Sequence, residues 1–517
     1  MTSKIFSAAI IGLDAIPIEV EVDASRGLPS FSIVGLPDKT VQESKDRINS
    51  AIKNSGLTNP KKENLKIVVN LAPADIRKQG PLYDLPIAVS YLLNTKQVEF
   101  DHQKKVFAGE LALDGSLRSI SAVLLIALMA RNLGFKELIL PKANAKEAAL
   151  IKDLKIIGLN NLTEVAAYLS GKIIIQPEKN IDFSKIISNS EYDFDISEIK
   201  GQETAKRALS LAAAGFHNVL MTGPPGAGKT MLAKALPSIM PSLSMDEALE
   251  ITKIHSVANA FKYSDSNEPK NYIINQRQFR NPHHTASAVA LVGGGSNLKP
   301  GEISLAHRGI LFLDEFPEFS RDVIEALRQP LEEGKVSLSR ANNSVAYPAK
   351  FLLVASMNPC PCGNHQNPHK ECLCTPGVIM RYQKKVSGPI LDRFDIKLDI
   401  PQENPKKLKE EPDYKESEEL RQKVELAREK QKRRFKELGI LTNSEMNNKQ
   451  VRRFCKIDEE SENFLDNYVM DKKLSHRSYF KILKLARTIA DLEEREDISR
   501  EDLQEAAMYK NDSVLTI

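Results

Sequence analysis

The sequence feature that most constrains the fold is a glycine-rich loop between an apolar run and a run that favours a helix. Residues Val219–Lys234 read V-L-M-T-G-P-P-G-A-G-K-T-M-L-A-K. Gly223 and Gly228 fit the spacing G-x-x-x-x-G-K-[ST], in which backbone N–H groups turn inward around phosphate oxygens. The following helix adds the positive end of its dipole. The stretch predicts a strand, a phosphate-binding loop and a helix.

The residue types of this loop also assign roles. The Lys229 ammonium would contact the β- and γ-phosphates, and the Thr230 hydroxyl would bind Mg²⁺. We expect the nucleotide-binding residues to be those of the loop and of the first helical turn: Gly223, Pro224, Pro225, Gly226, Ala227, Gly228, Lys229, Thr230 and Met231.

A second apolar run ends in two carboxylates. Residues 309–315 read G-I-L-F-L-D-E, which predicts a buried strand whose terminal charges need a cation. In P-loop enzymes, Asp314 would hold the Mg²⁺ and Glu315 would polarise the attacking water. The pattern therefore predicts a nucleotide-hydrolysing site rather than a nucleotide-binding site alone.

The chain of 517 residues is too long for one ordinary core, so several domains are expected. Short alternating strands and amphipathic helices predict a separate domain over residues 1–170, and a polar passage predicts a linker over 171–194. We expect an α/β nucleotide-binding core over 195–402 and a charge-rich, helical C-terminal domain over 403–517. A net charge of +4 says nothing about the partner.

The N-terminal apolar run, Ile5 to Leu13, has the composition of a signal-peptide core. It is followed by Asp14 and the alternating stretch I-P-I-E-V-E-V, which favours a strand over a cleavage site. No apolar stretch approaches the length needed to span a bilayer. The sequence predicts a cytoplasmic protein without a membrane partner.

Four of the five cysteines lie close together in the sequence: Cys360, Cys362, Cys372 and Cys374. Two C-x-C pairs separated by nine residues can close a tetrahedral four-sulfur site, with His365 and His369 between them. Two interpretations stay open at this point, a structural zinc site and four unliganded thiols.

The order of motifs along the chain resembles that of AAA+ ATPases with an insert in helix 2, a group that includes magnesium chelatase and the MCM helicases. The motifs in this order are the P-loop, a long insert over 242–307, the D-E strand, a hairpin around 336–347, a strand ending at Asn358, L-D-R-F-D over 391–395 and an S-x-R helix start at 475–477. Residues 1–170 resemble the proteolytic domain of Lon, an α+β fold of the ribosomal protein S5 domain 2 type. Together with F-R-N-P-H-H-T, G-E-I-S-L-A-H-R-G and M-N-P-C-P-C-G, these features resemble the YifB/ComM family over nearly the whole chain.

The resemblance implies a catalytic set and its cofactors, ATP and Mg²⁺. Lys229 and Glu315 would act with Asn358, which orients water in such sites. Arg393 stands where these ATPases present an arginine to the nucleotide of the neighbouring subunit. Arg477 would be a second arginine that contacts the ATP of its own subunit.

The resemblance also implies a function, because the competence member of the family is a hexameric branch-migration helicase acting on DNA in natural transformation. The expected partners are single-stranded or branched DNA, bound without sequence preference, and further copies of the chain in a hexamer. Lys299 on the insert and Arg340 on the hairpin are the candidate DNA contacts, with His283 or His284 as further phosphate contacts.

Two other functions compete with this one. The first is an ATP-driven chaperone that remodels a protein, as the chelatase motor does. The second is an ATP-dependent protease, but the position of the Lon nucleophile holds Leu82 and that of its partner lysine holds Ile126. Without a nucleophile or base there is no route to an acyl-enzyme, so the sequence predicts that residues 1–170 are inactive as a protease.

Overall fold

The computed structural model describes residues 3–60, 64–180, 192–258, 273–295, 298–340, 343–365, 367, 370–403 and 413–510. The chain divides into two compact units. The first comprises Met1–Ile186 together with Ala248–Ile274, and the second comprises Ile187–Glu247 together with Asn275–Ile517. Each unit is therefore built from two separate segments of the chain.

The first unit is built on a seven-stranded mixed sheet with the order β3-β4-β2-β1-β5-β8-β9. Its strands, with the short β6–β7 hairpin outside the sheet, are β1 (Ser3–Ile11), β2 (Asp14–Arg26), β3 (Ser30–Val34), β4 (Leu65–Ala72), β5 (Lys105–Phe107), β6 (Glu110–Leu111), β7 (Leu117–Arg118), β8 (Glu137–Pro141) and β9 (Lys155–Leu159). The apolar run that has the composition of a signal peptide lies largely in β1, which pairs antiparallel with β2 from Ser3↔Val22 to Ile11↔Asp14.

Helices cover this sheet. They span Lys39–Asn54, Asp84–Asn94, Val123–Asn132, Lys142–Ala148 and Leu162–Leu169. The first begins at the cap Asp38, whose side chain accepts from the Val41 N–H, and buries Val41, Ile48 and Ile52. Leu82 and Ile126, which stand where Lon has its catalytic residues, are both buried.

A segment from the middle of the chain completes the first unit. Most of the helix Met245–Ala258 belongs to it, and the Ser256 hydroxyl donates to Oε1 of Glu147 over 2.8 Å. The Leu124 N–H donates to the same oxygen over 3.3 Å. Burial raises the pKa of Glu147 to about 7, although the hydrogen bonds from Ser256 and Leu124 oppose this shift.

The second unit is built on a five-stranded parallel sheet with the order β11-β14-β17-β10-β18. These strands and two further hairpins, β12–β13 and β15–β16, are β10 (Val219–Thr222), β11 (Phe279–Arg280), β12 (Gly293–Gly294), β13 (Lys299–Pro300), β14 (Ile310–Leu313), β15 (Lys335–Arg340), β16 (Asn343–Pro348), β17 (Leu352–Met357) and β18 (Ile396–Asp399). The predicted phosphate strand, D-E strand, hairpin and Asn strand are confirmed. The hairpin residues Ala341 and Asn342 lie outside the described residues.

Helices surround this sheet and continue as a helical region to the end of the described chain. Around the sheet they span Glu203–Gly215, Lys229–Ile239, Ala288–Val292, Glu302–Leu305, Arg321–Ala326, Arg328–Glu333, Pro376–Gln383 and Gly388–Leu391. The C-terminal helices span Tyr414–Arg434, Asn448–Phe454, Glu459–Asp471, His476–Leu492 and Arg500–Met508. Leu485 and Ile489 of the C-terminal region share one hydrophobic core with Val219 of the sheet. Among the helices in the described part of the chain, none combines the length and apolar character needed to cross a membrane.

We expect the Glu147→Gln substitution to stabilise the first unit at high pH. The pKa of Glu147 is about 7 in the folded chain and 4.5 for a free glutamate, so the unfolded chain releases this proton first as pH rises. The ionisation of Glu147 therefore has no effect on the free energy of unfolding below about pH 4.5. Between about pH 4.5 and pH 7 it lowers this free energy by up to about 3 kcal/mol. Glutamine keeps the acceptor for Ser256 and Leu124 and removes this dependence.

Thermal unfolding of the full chain at pH 5 and pH 8 measures the effect. The variant should have a higher melting temperature than the wild type at pH 8, and a much smaller gain at pH 5. The control is Glu43→Gln, which changes an exposed glutamate. Its melting temperature should equal that of the wild type at both pH values. An equal gain at both values would contradict the assigned cause.

Candidate nucleotide-hydrolysis site

The candidate site lies where three neighbouring parallel strands end. Val219 of β10 is opposite Val354 of β17, and Leu313 of β14 is opposite Ala355. Since the strands run in one direction, their carboxyl ends deliver the phosphate loop, Asp314 and Asn358 to the same edge of the sheet. Ligands of open parallel α/β sheets bind at this edge.

The glycines of the loop have the backbone geometry that a phosphate cradle requires. Gly226 has φ +77° and Gly228 has φ +91°, which favour glycine over residues with a Cβ. Gly223 is required by space, because a Cβ there would lie 2.3 Å from the carbonyl oxygen of Ile400. Lys229 begins the helix Lys229–Ile239, and the cap Gly228 carries no side chain that could occupy the anion position.

Lys229 is positioned by the loop itself. Its Nζ donates to the carbonyl oxygens of Gly223 and Pro224 over 2.6 and 3.0 Å and to Oδ1 of Asn358 over 3.1 Å. Burial lowers the pKa of Lys229 to about 8, while the charges of Asp314 and Glu315 act in the opposite direction. A phosphate at this position would supply the anionic partner that favours the ammonium form.

Thr230 and Asp314 meet as a magnesium site requires. The Thr230 hydroxyl donates to Oδ2 of Asp314 over 2.8 Å, and the Ser356 hydroxyl donates to Oδ1 of the same carboxylate. Hydroxyl and carboxylate oxygens are the ligands that Mg²⁺ prefers. In nucleotide sites the protein supplies only a few of these ligands, because phosphates and water supply the others. These residues fit Mg²⁺ bound together with a nucleotide. Met231, which follows them, is half exposed.

Glu315 is exposed and has an unusual backbone conformation. Its φ of +52° is rare for a residue with a Cβ, and such strain is concentrated at functional sites. Its Oε2 lies 3.4 Å from Nδ1 of His284, and the two side chains are about half and one-third exposed. His284 was a candidate DNA contact in the sequence, whereas the structure brings it to the nucleotide site.

Arg393 and Arg477 lie together around Glu332 and not beside the phosphate loop. Arg393 forms an ion pair with Oε1 of Glu332. Nη2 of Arg477 donates to the same oxygen over 2.9 Å. Burial and the neighbouring charge of Arg477 lower the pKa of Arg393. Both arginines line one cavity of about 920 Å³, and no residue of the phosphate loop lines it. The role of Arg477 towards the ATP of its own subunit stays a prediction.

A buried carboxylate, two residues after Arg393, pairs with the helix that carries Arg477. Asp395 accepts from the Asn218 N–H over 3.1 Å and pairs with Nζ of Lys481 over 2.8 Å. Burial alone would raise the pKa of Asp395, but the charge of Lys481 and the contact with His217 hold it well below its usual range. Arg477 is four residues before Lys481 on the helix His476–Leu492, so the same face presents both side chains.

The two candidate DNA contacts belong to hairpins that touch each other. Lys299 is exposed on β13, and Arg340 is exposed at the end of β15. Nη1 of Arg340 donates to the Gly295 carbonyl over 3.4 Å, and the Tyr347 hydroxyl donates to the Leu298 carbonyl over 3.0 Å. Their basic residues are thus carried by one connected element of the second unit.

The cysteine cluster has the dimensions of a metal site. The sulfur atoms of Cys360, Cys362, Cys372 and Cys374 lie within 4.8 Å of one another, and the separations 360–362, 360–372 and 362–372 are 3.3, 3.7 and 3.7 Å. A tetrahedral zinc site with Zn–S bonds of about 2.3 Å has S–S edges of about 3.8 Å. These separations are far longer than a disulfide bond. His369 lies outside the described residues.

The cysteine loop also contacts the phosphate loop. Gly363, with φ +78°, lies so close to Pro225 that a Cβ would be 2.4 Å from its Cδ. The cluster begins two residues after Asn358, at the end of β17. The cysteine loop therefore packs directly against the phosphate loop at Pro225.

Sequence reasoning missed Ser356, Glu332 and the Asp395–Lys481 pair. Ser356 could have been found, because it lies near the end of β17 and precedes Asn358 by two residues. Glu332, Asp395 and Lys481 carry no motif of their own. Their roles depend on contacts between residues that are 61 to 145 positions apart.

Three family models match this chain. The model for magnesium chelatase, subunit ChlI, matches residues 195–408, that for subunit ChlI of Mg-chelatase matches 20–144, and that for the C-terminal part of subunit ChlI matches 414–510. The first of these ranges contains every residue of the phosphate loop, the D-E strand and Asn358.

Full-length relatives narrow the assignment. The chain is 43% identical over 513 residues to the uncharacterized protein YifB of Escherichia coli, covering 98% of this chain and 97% of that protein. It is 42% identical over 514 residues to the competence protein ComM of Haemophilus influenzae, covering 98% and 97%. The magnesium-chelatase 38 kDa subunit of Rhodobacter capsulatus is 27% identical over 176 residues, or 32% of this chain and 50% of that subunit. With the site geometry, these matches show that the chain belongs to the YifB/ComM family of magnesium-chelatase-like AAA+ ATPases.

Proposed function

We propose that this protein is an ATP-driven DNA translocase that promotes branch migration during homologous recombination of incoming DNA, working as a hexameric ring. The observation that carries the proposal is the contact between two basic hairpins, bearing Lys299 and Arg340, in the same unit as the nucleotide site. The full-length similarity to the competence protein ComM adds the biological setting.

The proposed hydrolytic step uses one set of side chains from the subunit that binds the nucleotide. Thr230 and Asp314 would hold Mg²⁺, whose charge would offset that of the phosphates. Lys229 would bind oxygens of the β- and γ-phosphates. Asn358 would orient the attacking water, and Glu315 would accept its proton. The water-activating and phosphate-binding groups therefore come from one chain.

We propose that Arg393 and Arg477 both serve the nucleotide of the neighbouring subunit. Their common position around Glu332, in a cavity without phosphate-loop residues, supports this role over contact with ATP of the same chain. An incoming γ-phosphate would replace Glu332 as the anionic partner of both guanidinium groups. Hydrolysis would then change the contact between subunits.

The four cysteines are proposed to bind one structural zinc ion. Zinc would fix the loop that contacts Pro225 through Gly363, which makes the site structural rather than catalytic.

A protein-remodelling chaperone is the second candidate, and the match to magnesium chelatase favours it. It shares the hydrolytic site and differs in what the hairpins contact. Proteolysis has no support, because Leu82 and Ile126 are apolar and buried.

We expect the protein to displace a strand from a three-stranded DNA junction when ATP is present. Lys229→Ala should lower ATP hydrolysis by about 100-fold or more and abolish displacement. The double variant Lys299→Ala/Arg340→Ala should hydrolyse ATP like the wild type when no DNA is present, and it should bind DNA more weakly. The slope of the logarithm of the DNA-binding constant against the logarithm of salt concentration should fall by the amount expected for about two lost phosphate contacts.

Lys335→Ala, at the other end of the same hairpin, is the matched control and should bind DNA like the wild type. DNA binding that is unchanged in the double variant, or hydrolysis without any displacement, would favour the chaperone over the translocase.

Mixed oligomers distinguish the two possible roles of Arg477. Lys229→Ala subunits supply intact arginines, and Arg477→Ala subunits supply an intact phosphate loop. If Arg477 serves the neighbouring nucleotide, ATP hydrolysis should recover when the two inactive variants are co-expressed. The same should hold for Arg393→Ala, and Arg500→Ala is an exposed control that should stay active alone. If ATP hydrolysis recovers with Arg393→Ala but not with Arg477→Ala, Arg477 contacts the ATP of its own subunit.

We expect the purified protein to contain one zinc ion per chain, measured by mass spectrometry of the metal. Cys360→Ser/Cys372→Ser should lose the zinc and bind ATP more weakly, because the loop against Pro225 is no longer fixed. Cys455→Ala removes a buried cysteine outside the cluster and should keep the zinc. Full zinc content in the double variant would refute the site.

A further inference from the structure

We infer that a basic face of the C-terminal helical region binds double-stranded DNA through its phosphate backbone, on elements other than those that carry Lys299 and Arg340. The choice of DNA as the polyanion rests on the proposed function. This C-terminal basic face consists of six exposed side chains, those of Lys432, Arg433, Lys436, Lys449, Arg452 and Arg453.

Two stretches of the chain meet to form the C-terminal basic face. The rings of Phe435 and Phe454 contact each other edge to face, with centroids 5.7 Å apart and planes at 81°. Phe435 follows the last residue of the helix Tyr414–Arg434, and Phe454 is the last residue of the helix Asn448–Phe454. Since the six cations flank these two rings in the sequence, the ring contact brings both basic groups together.

The helices bury other side chains and leave these six cations outside. Gln431 and Val451 are fully buried. Arg434 points inward, where Nη1 and Nη2 donate to the two carboxylate oxygens of Asp491 over 2.7 and 2.5 Å. A structural arginine of this region therefore has a buried carboxylate partner, and the exposed cations around it serve no such purpose.

Carboxylates do little to balance the charge of the face. Arg433 pairs with Glu429 over 3.5 Å, but the two side chains are 82% and 63% exposed, so the pair is weak. Among the described residues, no carboxylate forms an ion pair with the other five cations, and the segment 447–457 contains no Asp or Glu. Such a concentration of positive charge favours a polyanion, whose binding releases the condensed counterions.

The surroundings of these cations favour a duplex over other polyanions. Single-strand sites stack bases on exposed aromatic rings, and membrane surfaces are bound through exposed apolar side chains. Within residues 428–469, all of which the structure describes, no large hydrophobic side chain is exposed. The guanidinium of Arg453 lies over the ring of Phe454, 5.0 Å from its centroid. Duplex DNA presents its phosphates outward, about one charge per 1.7 Å of axis, and Lys and Arg bind them without reading sequence.

The passage between the two basic stretches also lines the cavity that contains Arg393 and Arg477. Ile440, Met446 and Asn447 belong to this passage and to the cavity wall. The C-terminal basic face is therefore part of the unit that carries the nucleotide site. A duplex bound there would be held by the ATP-hydrolysing unit itself.

The test removes four of the six charges and measures binding to duplex and single-stranded DNA of equal length by fluorescence anisotropy. Lys432→Gln/Lys436→Gln/Arg452→Gln/Arg453→Gln should bind a duplex of about 30 base pairs at least about 30-fold more weakly in about 0.1 M salt. The slope of the logarithm of the binding constant against the logarithm of salt concentration should fall by about 3.6, or about 0.9 for each lost phosphate contact. Binding to the single strand should weaken about threefold or less, because other residues provide that contact.

The matched control removes four exposed lysines from the same C-terminal region, as Lys415→Gln/Lys423→Gln/Lys472→Gln/Lys473→Gln. It should bind both DNAs like the wild type. Both variants should hydrolyse ATP like the wild type without DNA and should keep its oligomeric state in light scattering, which shows that they are folded.

Four results would overturn the inference. They are unchanged duplex binding in the first variant, an equal loss of duplex binding in the control, an equal loss of single-strand binding in the first variant, and dissociation of its oligomer, which would make the face a contact between copies of the chain. Poly-glutamate that competes with the duplex at equal charge concentration would assign the face to an acidic protein instead. If the wild type displaces no strand but the first variant alone loses duplex binding, the proposed function fails and the duplex site stands.

Discussion

The parallel alignment of β14, β17 and β10 is the constraint on which the candidate site depends. Each strand ends in a different functional group, and only a common direction brings their carboxyl ends together. The distance of 2.8 Å between Thr230 and Asp314, which are 84 residues apart, is a direct result. A shift of β14 by one residue would turn Asp314 to the opposite face, because side chains alternate along a strand.

The second constraint is the buried Asp395, which fixes the C-terminal helices against the sheet. Lys481, Asn218 and His217 all contact this carboxylate, and Nζ of Lys510 donates to the carbonyl of Phe394 next to it. Removing one partner of a buried pair leaves an uncompensated charge, so this arrangement is costly to change. The position of Arg477 therefore depends on the contacts between its helix and the sheet of the second unit, and not on the helix alone.

The predictable part of the molecule was the part in which function requires fixed residue types at fixed spacing. The phosphate loop, the strand before Asp314 and the cysteine pairs were found because their chemistry leaves few alternatives. The place of Arg477 was not predictable, because the motif S-x-R identifies a helix start but not the neighbours of that helix. The contact of His284 with Glu315 was also not predictable, since a histidine after a short strand is equally suited to a phosphate or a carboxylate.

The two-segment construction of the first unit has a consequence for synthesis on the ribosome. Ser256, which donates to the buried Glu147, is made only after the phosphate loop, so the first unit cannot complete its contacts before the second has begun to emerge. Folding of domains in strict order from the N-terminus is the simple expectation for a chain of this size. Here a fragment ending in the passage 171–194 would lack part of its own core. The first unit is therefore better isolated with residues 248–274 rejoined to it through an engineered connection than by truncation.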